Sequence, residues 1–247
     1  MSDEQLLRYS RQIMLPELDI AGQERLRAAR VLIVGMGGLG SPAAMYLATA
    51  GIGNLVIADD DTVDLSNLQR QIAHRNDAIG RSKVDSAAET LAALAPDVRV
   101  ERVRARLEPQ ALEKLARDCD LVLDATDNFH SRYAINDACW HAGTPLISGA
   151  AIRWEGQVAV FDPRRADSPC YRCLYQQGDD QALNCAENGV IAPLVGIIGA
   201  CQALEAIKVL CGIGEPLTGY VLFFDAKRMD WRKLGLSRNP DCPTCGG

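Results

Sequence analysis

The chain has 247 residues, 48% of them apolar and 23% charged, with a net charge of −6 and a pI near 5.1. That composition can bury a sizeable core and argues against disorder. The acidic balance argues against a general nucleic-acid binder, whose affinity comes from neutralising phosphates.

The N-terminal "MSDEQLLRYSRQ" is polar, without the apolar segment of a signal peptide, so a cytoplasmic location is expected. Residues 3–28 read as helix, interrupted near Pro16. "RVLIVG" reads as a buried parallel strand. "SPAAMYLATAG" reads as a helix with Pro42 in its first turn and Gly51 past its end. The run from Val31 to Gly53 carries no charge, but its six glycines and Pro42 suit a strand, a turn and a helix, not a membrane span. "NLVIAD" is the second strand, "RSKVDSAAETLAALAP" an amphipathic helix and "VRVERVRA" an alternating strand. "PQALEKLARDC" is a helix, "DLVLDAT" a strand, "SRYAINDACWHAG" a helix and "TPLISGAA" a strand. This rhythm predicts an α/β, Rossmann-like, mostly parallel sheet with helices on both faces.

After residue 152 the rhythm changes. "RWEGQVAVFDP" reads as an antiparallel strand, "PLVGIIGACQALEAIKVLCG" as a long apolar helix, and "TGYVLFFDAK" with "MDWRKLGL" as a hairpin. No stretch reads as a linker. The expectation is one domain over 1–247: a helical arm (1–30), a half with the parallel rhythm (31–152) and an antiparallel half (153–247).

Gly35, Gly37 and Gly40 form G-x-G-x-x-G between a strand and a helix. Such glycines allow a tight turn and let backbone N–H groups approach a phosphate at the helix N-terminus. Asp59 ends the next strand, where a carboxylate can accept hydrogen bonds from ribose hydroxyls. The plainer alternative is a structural turn held by an acid. "DDDTVDLSNLQRQ" then supplies an unusual polar loop for a nicotinamide site. Arg70 and Lys83, with Arg8 and Arg11 near the N-terminus, are candidate cations for a phosphoryl-transfer transition state; singly, each would pass for a solvated surface charge. Asp127 and Asn128 follow a strand at the usual ligand edge of an open sheet, and an acid there can hold Mg2+.

Nine cysteines, an odd number in a chain that is not small, argue against a disulfide framework. Cys170 with Cys173, and Cys242 with Cys245, form two C-x-x-C pairs suited to one closed, structural Zn2+ site. Two independent redox pairs are the alternative. Cys185 lies in a polar stretch and is either a nucleophile or an inert surface thiol. Cys119, Cys139, Cys201 and Cys211 read as core fillers, and His74, His130 and His141 form no triad.

Together, "RYSRQI", "GMGGLGSPAA", "DDDTVDLSNLQRQ", "LDATDN", "NCAENGVIAPLVGIIGACQALEAIK" and the two C-x-x-C pairs resemble the MoeB/ThiF family of ubiquitin-activating-like adenylyltransferases over essentially the whole chain. The resemblance implies ATP with Mg2+ at the glycine turn. It implies adenylation of the C-terminal glycine of a small ubiquitin-fold sulfur carrier ending in Gly-Gly, with release of pyrophosphate. Carried over, Gly38 approaches the phosphates and Asp59 holds the ribose. Ser66, Asn67, Leu68, Gln69 and Arg70 form the nucleotide loop, and Asn67, Arg70 and Lys83 contact phosphates. Asp127 is the Mg2+ ligand, with Asn128 beside it. Arg11 is the arginine given to the neighbouring subunit's site, which implies a homodimer. Cys185 corresponds to the cysteine of the crossover segment, which adenylation does not need. No rhodanese-like domain follows "CPTC", so a separate sulfur donor is expected. "SGAAIRWEGQ" leans towards the molybdopterin branch, and "RYSRQI" and "ADDD" towards the thiamine branch. An NAD-dependent oxidoreductase and a non-catalytic nucleotide-binding scaffold are the competing readings. The polar loop after Asp59 and the basic cluster weigh against the first, and the presence of Arg11, Arg70, Lys83 and Asp127 in one chain weighs against the second.

Overall fold

Short apolar runs build the sheet. β1 (Arg30–Val34), β2 (Asn54–Ala58), β3 (Arg99–Val103), β4 (Leu121–Asp124) and β5 (Leu146–Ile152) are followed by β6 (Glu155–Phe161), β7 (Tyr220–Asp225) and β8 (Asp230–Gly235). In this computed structural model, which describes residues 1–176 and 189–246, they form one eight-stranded sheet in the order β3-β2-β1-β4-β5-β6-β7-β8. The first five pair in parallel. The last three pair antiparallel, continuing the sheet beyond β5. The sheet is therefore mixed, with a Rossmann-like half and an antiparallel extension, as the change of rhythm after residue 152 predicts.

Alternate residues of the strands face opposite layers. Val31, Ile33, Leu55, Ile57, Leu121, Leu123 and Ile147 enter one core. Leu32, Val56, Ala58, Val122 and Leu146 enter the other. The described α-helices are α1 (Asp3–Arg8), α2 (Ser10–Ile13), α3 (Asp19–Ala28), α4 (Gly40–Thr49), α5 (Lys83–Leu94), α6 (Pro109–Arg117), α7 (Phe129–Ala142), α8 (Tyr171–Leu174) and α9 (Ala192–Cys211), with short 3-10 turns at Leu65–Asn67 and Asn76–Ala78. The first core takes residues of α4, α5 and α9, and the second takes residues of α6 and α7. The break near Pro16 is present: α2 ends at Ile13 and α3 begins at Asp19.

α9 is long and apolar enough to cross a membrane by composition, but half of its most apolar stretch is buried inside the protein. Leu194, Val195, Ile198, Gln202 and Ala206 are among its buried residues. Gly199 lets it approach the start of α4, because a Cβ there would lie 2.4 Å from the Leu39 carbonyl oxygen.

Candidate active site

The chain turns from β1 to β2 and β3 on one side of the sheet, and to β4 and β5 on the other. That reversal leaves a crevice beyond the C-terminal ends of β1, β2 and β4. A cavity of about 380 Å³ occupies it, lined by Gly37, Gly38, Asp59, Arg70, Lys83 and Asp127 among others.

The glycine turn is held by tight backbone geometry. Gly35 has φ of 95°, and a Cβ there would lie 2.7 Å from the Ala125 oxygen. A Cβ on Gly40 would lie 1.8 Å from the Gly35 oxygen. Gly37 meets only an ordinary contact, with Gln71 Nε2 at 3.5 Å, so its face of the turn is open to the cavity. The first turn of α4 has no side-chain cap. Ser41 and Ala43 donate their N–H groups to the Gly37 and Leu39 oxygens and Pro42 has none, so it is the positive end of the helix dipole that makes this end of α4 a natural place for an anion.

Two side chains brace this turn. Asp59 accepts the Met36 N–H at 2.7 Å and the Asp61 N–H at 2.9 Å. Burial raises its pKa, and the Lys83 ammonium partly opposes that rise. His74 is buried and lies 2.9 Å from the Met36 oxygen through Nε2 and 3.0 Å from Ser86 Oγ through Nδ1. Burial pushes its pKa down.

The cations converge beside the turn. Lys83, at the start of α5, is 8% exposed and pairs with Asp61 at 2.8 Å. Arg70 donates to the Ser66 carbonyl at 3.0 Å and lines the cavity. Ser66, Asn67, Leu68 and Gln69 lie outside the lining. Ser66 and Asn67 instead build the turn that carries Arg70. Asp64 accepts the Ser66 N–H and hydroxyl at 2.8 and 2.7 Å, and Asn67 Oδ1 accepts the Asp64 N–H at 3.2 Å.

On the opposite wall, Asn128 caps α7 by accepting the Ser131 N–H at 2.8 Å. Asp127, just before it, is exposed at the cavity and receives one long contact, 3.4 Å, from Asn128 Nδ2. A hard oxygen donor with spare capacity, facing a turn suited to phosphate, fits a Mg2+ carried with a nucleotide. Arg11 is not in this cavity. It is exposed and lines a separate groove with Tyr46 and Leu204. Cys185 lies outside the described residues.

Arg132, Gln71 and His74 were not singled out by motif. Arg132 is 4% exposed on the buried side of α7 with Phe129 and Ile135. The available signal was a charge at helical spacing between two apolar residues. Gln71 is 4% exposed, and its Oε1 has no hydrogen-bond partner.

The two C-x-x-C pairs meet. Cys170, Cys173, Cys242 and Cys245 place their sulfurs within 4.8 Å of one another. Cys170 and Cys242 are 3.5 Å apart, and Cys173 and Cys245 are 3.3 Å apart. Four thiolates about 2.3 Å from a tetrahedral Zn2+ would sit about 3.8 Å apart, so modest expansion makes the cluster fit the ion. Burial, with the neighbouring Cys242, raises the Cys170 pKa well above the ordinary thiol value. A cation would reverse that preference. Cys119, Cys139 and Cys211 are buried and Cys201 half-buried, as core fillers should be.

A family model described as "ThiF family" matches residues 9–244. The chain belongs to the ThiF family. Over 246 residues it is 49% identical to the molybdopterin-synthase adenylyltransferase of Escherichia coli, an alignment spanning 100% of this chain and 98% of that one. This ThiF-family chain is also 46% identical over 247 residues to the sulfur carrier protein ThiS adenylyltransferase of the same species, again spanning 100% and 98%. Among solved structures, E. coli MccB with ATP shares the fold at a TM-score of 0.85 and 24% identity, covering 97% of this chain and 74% of that one.

Proposed function

We propose that this ThiF-family chain is an ATP-dependent adenylyltransferase acting on the C-terminal glycine of a small sulfur-carrier protein. One observation carries the reading. The crevice brings an anion-ready glycine turn, the acceptor Asp59, the cations Arg70 and Lys83 and the free carboxylate of Asp127 onto one cavity. A hydride-transfer site has no need of that combination, whereas attack of an anion on a polyphosphate does.

The carrier's carboxylate is already ionised at neutral pH, so no general base is required. Its oxygen forms a bond to the α-phosphorus while the bond to the bridging oxygen breaks, giving an acyl-adenylate and pyrophosphate. Arg70 and Lys83 reduce the repulsion between the two anions, and the turn holds the phosphates for in-line attack. Mg2+ bound with the nucleotide would neutralise charge on the phosphates, with Asp127 as its protein ligand and Asn128 fixing the start of α7 behind it. Asn67 is assigned to the phosphates and Ser66, Leu68 and Gln69 to the nucleotide loop on the family pattern.

The carrier is read as ubiquitin-fold, ending in Gly-Gly. The molybdopterin-synthase small subunit is favoured over the thiamine-pathway carrier by the higher identity to the molybdopterin relative, 49% against 46%. The four cysteines are read as a structural Zn2+ site. Arg11, outside its own chain's cavity, is read as serving the site of a second copy in a homodimer. Sulfur would come from a separate donor, in the cytoplasm.

The test is ATP–pyrophosphate exchange with purified molybdopterin-type and thiamine-type carriers, each intact and lacking its last glycine. Exchange that requires the intact terminus is expected, strongest with the molybdopterin-type carrier. Tight NAD binding without ATP binding would overturn the reading.

A further inference from the structure

Asp127 stands on a loop of four residues between β4 and α7. That loop is tied down from below by buried polar groups. Asp124, 1% exposed, accepts the Thr126 N–H at 3.0 Å and the Thr126 hydroxyl at 2.7 Å through Oδ1. Its Oδ2 accepts the Ser148 hydroxyl at 2.8 Å. The hydrogen bonds of Asp124 are thus made without an arginine, and the buried Arg132 guanidinium balances its charge from nearby.

Arg132 nevertheless lies beneath the loop, almost fully buried. Its short bond, 2.7 Å from Nη2, goes to the carbonyl oxygen of Thr126, the residue immediately before Asp127. Its Nη1 approaches the Tyr171 hydroxyl at 3.4 Å, and its Nε has no hydrogen-bond partner. A buried guanidinium with an unpaired N–H is costly. An arginine needed only to fill space could be replaced by an apolar residue at lower cost. The one strong bond it makes holds the backbone of the loop.

Tyr171 sits between Cys170 and Cys173 and is 1% exposed. Its N–H donates to Asn136 of α7 at 2.7 Å. The next residue of α7, Asp137, takes Arg172 at 2.8 Å from one knuckle and Thr244 at 2.6 Å from the other. The four-cysteine cluster is therefore fastened to α7, the helix whose first turn follows Asp127.

We propose that Arg132 is a positioning residue, which presents Asp127 to the nucleotide's metal by holding the Thr126 carbonyl, and that the cysteine knuckle sets Arg132 through Tyr171. The inference deepens the adenylyltransferase reading and rests on its assignment of Asp127. The knuckle then acts on the active site as well as on the C-terminal tail.

Three variants of the full-length protein test this: Arg132→Lys, Tyr171→Phe and Asp127→Ala. The first readout, independent of activity, is amide hydrogen exchange over residues 125–128 in the free enzyme. The second is the Mg2+ concentration for half-maximal ATP–pyrophosphate exchange, set against kcat at saturating Mg2+. Loss of one charge-assisted hydrogen bond corresponds to about tenfold. Arg132→Lys should speed exchange of the loop amides and raise the Mg2+ requirement by about that factor, while changing kcat at saturation much less. Tyr171→Phe should do the same to a smaller extent, with zinc content unchanged. A role confined to stability would lower the folded fraction, and so kcat, without moving the Mg2+ requirement. Loop amides and Mg2+ requirement that both stay at wild-type values in folded Arg132→Lys overturn the proposal. If that variant does not fold, the same criteria applied to Tyr171→Phe decide it. Full activity with unaltered Mg2+ dependence in Asp127→Ala would instead sink the assignment of Asp127. The amide exchange would still report whether Arg132 holds the loop.

Discussion

Asp59 Oδ2 accepts the Met36 N–H at 2.7 Å, so the carboxylate after the second strand is bonded into the glycine turn. One oxygen braces the glycine turn, and the group lines the cavity proposed for the nucleotide. Asp59→Ala should weaken ATP binding about tenfold or more by calorimetry, the loss of one hydrogen bond to a charged group. The same bond gives a pH dependence. Burial raises the pKa of Asp59 above its ordinary 3.8. Acidification should therefore weaken ATP binding from a higher pH than an ordinary aspartate would give, and Asp59→Asn should remove that component. Between the folded pKa and 3.8 the folded state holds the extra proton, so this group does not lower stability there. Acidification through that window should therefore raise this group's contribution to stability while it lowers ATP affinity.

His74 predicts the opposite sign for stability. Its Nε2 faces the Met36 carbonyl, an acceptor only, so the neutral ring carries its proton there and accepts from Ser86 through Nδ1. Burial lowers the pKa of His74 below 6.5. The unfolded chain then binds a proton before the folded one does. Stability should be constant above 6.5 and fall as the pH drops from there through the lowered folded value. The slope from this one group is at most about 1.4 kcal/mol per pH unit. Urea titrations from pH 7.5 to 5 should show this component, and His74→Gln should remove it.

Two glycines of one turn should behave differently. A methyl on Gly40 would meet the Gly35 oxygen at 1.8 Å, whereas one on Gly37 meets only Gln71 at 3.5 Å. Gly40→Ala should destabilise the fold by about 3 kcal/mol or more, because backbone must move. Gly37→Ala should melt within about 1 kcal/mol of the parent and still lose ATP affinity, since its methyl enters the phosphate side of the cavity. Thermal melts paired with ATP titrations separate the two outcomes; equal losses of stability would contradict the geometry.

The four-cysteine cluster joins segments 170–173 and 242–245. Purified protein should contain about one zinc per chain by elemental analysis, in keeping with a closed site. Cys242→Ser, or chelation, should cost about 3 kcal/mol, which for a chain of this size lowers the melting temperature by roughly 6–12 °C. The C-terminal segment should then become sensitive to protease. A full complement of zinc in Cys242→Ser would show that the cluster is not the site.

Arg11 lines a groove with Tyr46 and Leu204, which are 59% and 58% exposed. A homodimer sharing arginines across this face makes a quantitative prediction. Arg11→Ala and Asp127→Ala should each be inactive alone. Mixed and allowed to exchange subunits, they should regain about a quarter of wild-type exchange activity, since half the dimers would be mixed and each would hold one complete site. No recovery despite demonstrated subunit exchange would place Arg11 in its own chain's chemistry.

Much of this was readable from residues near one another in the chain. Apolar runs bounded by Gly35, Pro96 and Gly143 marked elements, because a buried parallel strand must be apolar on both faces. The G-x-G-x-x-G run marked an anion site, because backbone sterics make the glycines necessary wherever the turn occurs. The C-x-x-C spacing marked a metal knuckle for an equally local reason. The antiparallel extension also showed itself, as a change of period after residue 152.

The rest depended on groups far apart in sequence. Whether Arg132 was a surface charge or a buried brace turned on Thr126 and on Tyr171, thirty-nine residues away. Nothing in "HSRYAIND" states that the inner face of α7 lies over the end of β4. His74 showed no role until α5 brought Ser86, and β1 brought Met36, to its two nitrogens. Sequence by itself determined the elements, the glycine turn and the four cysteines that come together. Tertiary structure decided which charges are buried and what each of them holds. The physical reason is that burial and hydrogen bonding depend on what packs against a side chain, and local periodicity reports only which side of its own element that side chain faces.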